Sequence, residues 1–239
     1  IRLVFCGGTS LSKAHGLIER MSEDADLKVG LTDAGKALSR TKLKRYLGDE
    51  VRGRVARALT DVGLVEDAER AIALNEYRYM HSQWSYERRY PASTGLRPNL
   101  QIELTVRAPV LPTAEIPLCA LADHLAGTKG ASFNVLTISV AETLAEKVLS
   151  FFFFFSQHRS GQMQQTWDTA LVRHIYDAHC IVTHDPVIVD VCAPAFSELL
   201  AGDVAEYGRQ QPDFAAAPIA VLERALNQVR GDAQTRAEY

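Results

Sequence analysis

Two stretches near the N-terminus restrict this chain more than any others in it. Ile1-Arg2-Leu3-Val4-Phe5 reads as a strand. Gly7-Gly8-Thr9-Ser10-Leu11-Ser12-Lys13 then reads as a glycine turn entering a helix capped by Thr9 or Ser10, with Leu11, Ala14, Leu17 and Ile18 on one apolar face. Asp24-Ala25-Asp26-Leu27-Lys28-Val29 alternates, so a strand there turns Ala25, Leu27 and Val29 inward and both aspartates to the other side. The glycine turn can offer backbone N–H groups to phosphate. Two carboxylates on one side of a strand suit a hard, oxygen-seeking cation such as magnesium.

The remaining pattern predicts helix over residues 36–76, where Leu43, Leu47, Val51 and Val55 recur every four residues and Leu64, Ala68, Ala71 and Leu74 resume the spacing. Gly30 to Gly35 reads as a loop. The aromatic stretch Tyr77–Tyr90 suits strand, and Asn99–Arg107 alternates with Ile102, Leu104 and Val106 inward and Gln101, Glu103, Thr105 and Arg107 outward. Pro109, Pro112 and Pro117 break the next stretch. Residues 133–140 suit a last strand or a lead-in, and from Ala141 onward the chain reads as mostly helical. The expected plan is an α/β part over residues 1–130 and a mainly α-helical part over 131–239.

The chain has 239 residues and a formal net charge of −3, so it can bury a full core and is no general polyanion binder. Cys6, Cys119, Cys180 and Cys192 show no C-x-x-C spacing and read as reduced thiols of a cytoplasmic protein. His174, His179 and His184 step by about 140° around a helix and so do not converge on one metal. No signal peptide is visible, and the opening at Ile1 within a strand pattern suggests that the natural chain begins upstream. The run Val148–Phe155, with five consecutive phenylalanines, is too short to span a bilayer, so no membrane partner is expected. Phenylalanine all around a helix demands full burial.

Nucleotidyl transfer asks a protein mainly for positioning and for compensation of negative charge. Shared carboxylates holding two metals can bind a triphosphate and activate a hydroxyl. Asp24 and Asp26 supply two, and Glu103, on the polar face of its own strand, is the best third. Ser10 and the Gly7-Gly8 backbone are candidates for phosphate. Lys147 flanks a buried helix face, from which it can meet a phosphate, and Arg173 and Asp177 share a face one turn apart. Each feature also has a plainer reading: a solvated strand edge for the aspartates, a tight turn with a cap for the glycines, an Arg107 partner for Glu103, a surface role for Lys13 and Lys147, and an Arg173 ion pair for Asp177. The chain lacks G-x-x-x-x-G-K-[ST], which disfavours a P-loop NTPase.

The order of these parts carries a resemblance. Phe5-Cys6-Gly7-Gly8-Thr9-Ser10-Leu11-Ser12-Lys13-Ala14 with Arg20-Met21-Ser22-Glu23-Asp24-Ala25-Asp26-Leu27 closely resembles the AbiEii/AbiGii-type nucleotidyltransferase toxins, including the MenT-like ones. Ile102-Glu103-Leu104, Glu142-Thr143-Leu144-Ala145-Glu146-Lys147 and Arg173-His174-Ile175-Tyr176-Asp177 resemble later motifs of that family. The resemblance runs from Leu3 to about Ile181. It implies an α+β fold, with a DNA-polymerase-β-like core built on a mixed sheet and followed by a helical C-terminal domain. It implies Mg²⁺ (or Mn²⁺), an NTP substrate, an RNA acceptor such as the tRNA 3′ end, and a cognate antitoxin. Asp24, Asp26 and Glu103 would be metal ligands, and Lys147 and Asp177 further catalytic groups. Gly7, Gly8, Thr9, Ser10, Lys13, Lys147 and Arg173 would hold nucleotide. Cys6 departs from the basic residue common before the glycines, as does the phenylalanine run from the usual mixed residues, and the helices that precede the first strand in the family are missing.

A basic cluster from Lys36 to Arg57, with Lys42, Lys44, Arg45 and Arg52 at its centre, reads as a solvated helix face or as an RNA-backbone contact beside the active site. Two other functions remain open: transfer of the nucleotide to a protein hydroxyl, and a non-catalytic interaction module on the same scaffold.

Overall fold

The computed structural model describes residues 1–88, 97–120, 123, 126–128, 130–163 and 166–239. Its contacts divide the chain into two compact units, Ile1–Ile138 and Ser139–Tyr239. The first is mixed α/β and the second is helical. Within the described residues no helix is long and apolar enough to cross a membrane.

In the first unit the strands are β1 (Arg2–Cys6), β2 (Asp24–Gly30), β3 (Val65–Glu66), β4 (Ile72–Leu74), β5 (Tyr79–Ser85), β6 (Asn99–Thr105), β7 (Ala114–Cys119) and β8 (Ser132–Thr137). They form one mixed sheet in the order β3-β5-β6-β2-β1-β8-β7, with β4 on β5. β2 runs antiparallel to β1 and parallel to β6, while β5 runs antiparallel to β6. The helical elements of this unit are α1 (Gly7–Lys13), α2 (Asp33–Lys36), α3 (Arg40–Arg45) and α4 (Gly53–Asp61), with a π-wound segment, Tyr46–Arg52, joining the last two.

The alternation of β2 and β6 decides which face is dry. Val29, Ile102 and Leu104 are buried with Met80 and Trp84 of β5 against Leu43, Leu47 and Val51, and Ala25 and Leu27 pack on the same cluster. Leu43, Leu47 and Val51 keep their four-residue spacing through α3 and the π-wound segment. The predicted helix does not continue to residue 76. Gly63 takes a left-handed φ of +88°, which ends α4, and β3 and β4 then pair with β5. Leu64, Ala68, Ala71 and Leu74 imitate a helical repeat, yet short apolar runs of this kind do not separate helix from strand. A second correction concerns the prolines. Pro117 lies inside β7, which pairs on one side only, with β8, and an edge strand tolerates the missing N–H. Thr32 caps α2 within the expected loop. Arg89 and Tyr90, the end of the aromatic stretch read as strand, lie outside the described residues.

The second unit comprises α5 (Val140–Ser160), α6 (Arg173–His184), α7 (Ile188–Tyr207), α8 (Pro212–Ala216), α9 (Pro218–Val229) and α10 (Ala233–Glu238). Ser139 caps α5, its Oγ accepting from the Glu142 N–H at 3.2 Å, and Gly161 closes it at φ +68°. All five phenylalanines fall within α5, and this unit surrounds the helix enough to accept them. Phe151 and Phe155, one turn apart, meet Trp167 and Ala225, while Phe153 meets Phe214 and Tyr207 at ring-centre distances of 4.7 and 5.3 Å. Phe152 and Phe154 are only half-buried. Phe155→Ala is therefore expected to destabilise this unit by about 3–5 kcal/mol, and Phe154→Ala by clearly less, in urea unfolding of the full chain followed by circular dichroism.

Candidate active site

The sheet's other face is polar across β2, β6 and β5 because strand register repeats the alternation, while β1 adds the apolar Val4 and Cys6 to it. Cys6 of β1 is paired with Asp26 of β2, Asp26 with Glu103 of β6, and Glu103 with His81 of β5. Registered partners share a face. The row before it holds Asp24, Gln101 and Gln83, and the row after it holds Lys28, Thr105 and Tyr79. Asp24, Asp26 and Glu103 thus stand on one face of two adjacent strands, about 5 Å apart across the strands and about 7 Å apart along β2.

The glycine turn closes against this face. Gly7 has φ +72°, and a Cβ there would lie 1.9 Å from Asp26 Oδ2, so the backbone and the carboxylate touch only because the residue is glycine. A Cβ at Gly8 would lie 2.7 Å from the Arg20 guanidinium and 3.1 Å from Ser22 Oγ. Thr9 Oγ1 shares a hydrogen bond with Ser22 Oγ at 2.8 Å and donates to the Asp24 backbone carbonyl. Ser10 is fully buried, and its hydroxyl donates to the Gly7 carbonyl at 2.9 Å. The hydroxyls of Thr9 and Ser10 therefore brace the turn, and Lys13 ends α1 half-exposed.

Each carboxylate has a defined surrounding. The Asp24 carboxylate accepts from the Arg97 guanidinium, which also reaches Gln101, and the Arg97 N–H donates to Glu23 Oε1 at 3.0 Å. Glu103 Oε1 accepts from the Tyr79 hydroxyl at 3.0 Å. Burial, then the negative charge and hydrogen bond of Glu103, then the charge of Asp26, push the Tyr79 hydroxyl well above the usual tyrosine range, so it stays a donor. Lys28 is buried on the same face, and His81 Nδ1 is buried without a hydrogen-bond partner. Among the described residues no three His, Cys, Asp or Glu side chains are gathered closely enough for a metal ion. The chemistry of the donor set nonetheless fits a hard divalent cation: three carboxylates share a face, and one of them already neutralises a cation, Arg97.

Lys147, Arg173 and Asp177 belong to the second unit. Lys147 Nζ lies 2.7 Å from Asp177 Oδ2, with the side chains 8% and 0% exposed, joining α5 to α6. Two of the plainer readings fall away here. Lys147 is buried, and Asp177 takes Lys147 as its partner, while Arg173, one turn away, is exposed. Glu142 is fully buried on α5 as well.

The basic cluster lies elsewhere than expected. Leu43, Leu47 and Val51 pack on the apolar sheet face, so α3 and the π-wound segment cover the side opposite Asp24, Asp26 and Glu103. Lys42, Lys44 and Arg45 are exposed there, and Arg52 pairs with Glu66 at 2.7 Å. The cluster does not line the acidic face. The sequence reading missed Tyr79, Arg97, His81 and Lys28. Lys28 was legible from its alternation with the aspartates, whereas Tyr79 and His81 required the register of β5 and β6, and Arg97 required the fold ahead of β6.

The strand–glycine turn–helix thus opens onto paired aspartates and a third carboxylate on one sheet face. The chain matches the nucleotidyl transferase AbiEii toxin family, of type IV toxin–antitoxin systems, over residues 1–239, and it belongs to that family. Among solved structures it is similar to MenT4, a nucleotidyltransferase toxin from Mycobacterium tuberculosis H37Rv, at 23% identity and a TM-score of 0.40, over 72% of this chain and 53% of that one. The chain thus spans about half the length of that protein. A search of curated proteins returned no match.

Two predictions follow from this geometry. Gly7→Ala forces a side chain into left-handed backbone and into Asp26, so a loss of about 1–3 kcal/mol in thermal unfolding is expected. Lys147→Met strands a buried carboxylate and should cost about 3–5 kcal/mol, most of it recovered in Lys147→Met/Asp177→Leu, by urea titration.

Proposed function

We propose that the chain is a metal-dependent nucleotidyltransferase with a DNA-polymerase-β-like core, which moves a nucleotide from an NTP to an RNA 3′ hydroxyl, such as that of tRNA. The observation that carries this reading is the row formed by Asp26 and Glu103, with Asp24 one step away and the Gly7-Gly8 turn against it. Membership of a nucleotidyltransferase toxin family supports it.

Asp24, Asp26 and Glu103 would hold Mg²⁺ or Mn²⁺, which when bound supplies charge stabilisation on the phosphates and lowers the pKa of the acceptor hydroxyl. The acceptor hydroxyl gives up its proton to water, its oxygen bonds to the α-phosphorus, the bond from the α-phosphorus to the bridging oxygen breaks, and pyrophosphate leaves with that bond's electron pair. The backbone at Gly7 and Gly8 and the nearby Arg20 provide donors and positive charge for phosphate oxygens. Thr9 and Ser10 keep that turn in shape, and Lys13 ends the same short helix. The roles of Lys147, Asp177 and Arg173 toward nucleotide rest on the family resemblance alone, and within their own unit Asp177 holds the Lys147 ammonium. The RNA acceptor rests on the family resemblance, and Lys42, Lys44 and Arg45 would touch RNA backbone only from behind the sheet. A cognate antitoxin is the partner that a type IV toxin–antitoxin family implies.

The test is transfer from labelled NTPs onto total tRNA. Label is expected on RNA with the native chain and should fall by about 10²–10³-fold or more with Asp26→Ala, the scale of losing one group that stabilises transition-state charge. A nucleotide mass added to protein with RNA unlabelled would move the acceptor to a protein hydroxyl. No transfer to any acceptor would overturn the reading.

A further inference from the structure

We propose that Tyr79 is a positioning residue of the acidic face, its hydroxyl holding the Glu103 carboxylate in the orientation in which Glu103 and Asp26 together meet a divalent cation. The inference rests on the reading of Asp24, Asp26 and Glu103 given under Proposed function.

The three carboxylates are steadied by different means. Asp26 abuts the Gly7 backbone, and Asp24 is held by Arg97. Glu103 has the longest of the three side chains and the most rotamer freedom to lose. Tyr79 donates to its Oε1 at 3.0 Å from the next strand over, where Tyr79 is paired with Thr105, two residues along β6 from Glu103. The phenol swings on only two torsions from a backbone paired on both sides, by β4 and by β6, so its oxygen is a fixed point. One donor occupies one lone pair of Oε1 and leaves Oε2 and its acceptor directions unspent. A ligating carboxylate held by an outer hydrogen bond loses about 10–100-fold in metal affinity when that partner is removed.

The experiment is Mn²⁺ binding to the full chain without nucleotide, read by electron paramagnetic resonance, with thermal unfolding as the control for folding. Tyr79→Phe keeps the ring in β5, and a 10–100-fold weaker Mn²⁺ affinity is expected. In a Glu103→Gln background the same substitution should add nothing further, because Tyr79 acts through Glu103. Mg²⁺, which demands near-ideal octahedral ligands, should lose more than Ca²⁺ in competition with Mn²⁺, a change in ratio that general loosening of the fold would not produce. Unchanged affinity in Tyr79→Phe, with binding still lost in Asp26→Asn, would overturn the role of Tyr79 and leave the metal reading standing. Equal losses with and without Glu103 would also overturn it. A native chain that binds no Mn²⁺ would overturn both together.

Discussion

The parity of β2 is the constraint on which the rest depends. Its side chains alternate between a dry face built by Ala25, Leu27 and Val29 and a polar face carrying Asp24, Asp26 and Lys28. A slip of one residue against β1 or β6 would bury two aspartates among Leu43, Leu47 and Val51 and expose the leucine and valine, a cost no local contact could offset. The same apolar packing that stabilises the first unit therefore sets which face shows its acids. Because β6 is locked to β2 over five registered pairs, Glu103 is carried to the side of Asp26 by the hydrophobic pattern of Ile102 and Leu104. The placement of the acids is a by-product of core formation, and that is why so short a motif can be read at all.

Legibility followed the period of each segment. The alternation of Asp24–Val29 and Asn99–Arg107 identified both strands and put the three carboxylates on polar faces, since a two-residue period has a single physical reading when it is clean. The stretch after Gly63 was misread because Leu64, Ala68, Ala71 and Leu74 fall at helical spacing by coincidence, while strands of two and three residues are too short to show a period of their own. The basic residues were read as helical and left open between a solvated face and a place beside the acids, and the packing puts them across the sheet from the acids. Which sheet face a helix covers is decided by long-range packing of Leu43 and Leu47, and no feature of Lys42, Lys44 or Arg45 reveals it. Tyr79 and Arg97 stayed hidden for a similar reason: one acts from the neighbouring strand, the other from just ahead of β6.

The second unit shows how burial changes the meaning of a polar residue. Lys147 and Asp177 are each sequence motifs with plausible surface readings, yet α5 is enclosed by its neighbours, so a charge on it must bring its partner along. The phenylalanine run expresses the same enclosure in apolar form. Phe151 and Phe155 point to Trp167 while Phe153 points to Phe214 and Tyr207, which a helix covered on more than one side within its unit can satisfy. A helix that tolerates phenylalanine on several sides also fixes its lysine, because the rigid packing that accepts the rings leaves Lys147 little freedom to turn elsewhere.

Gathering negative charge on one sheet face works against folding, and the chain answers with donors and cations of its own. Arg97 stands on Asp24, the Tyr79 hydroxyl on Glu103, and Lys28 is buried in the same polar face. These groups offset the repulsion among the carboxylates. They differ in what a divalent cation would ask of them. A neutral donor such as Tyr79 can keep its hydrogen bond while Glu103 binds metal, since the two use different lone pairs. A guanidinium on Asp24 competes for the same charge, so cation binding there must displace or weaken the Arg97 contact. The face is thus held together by one partner compatible with a bound cation and one that a cation would have to displace, and the second lets three acids stand on one face.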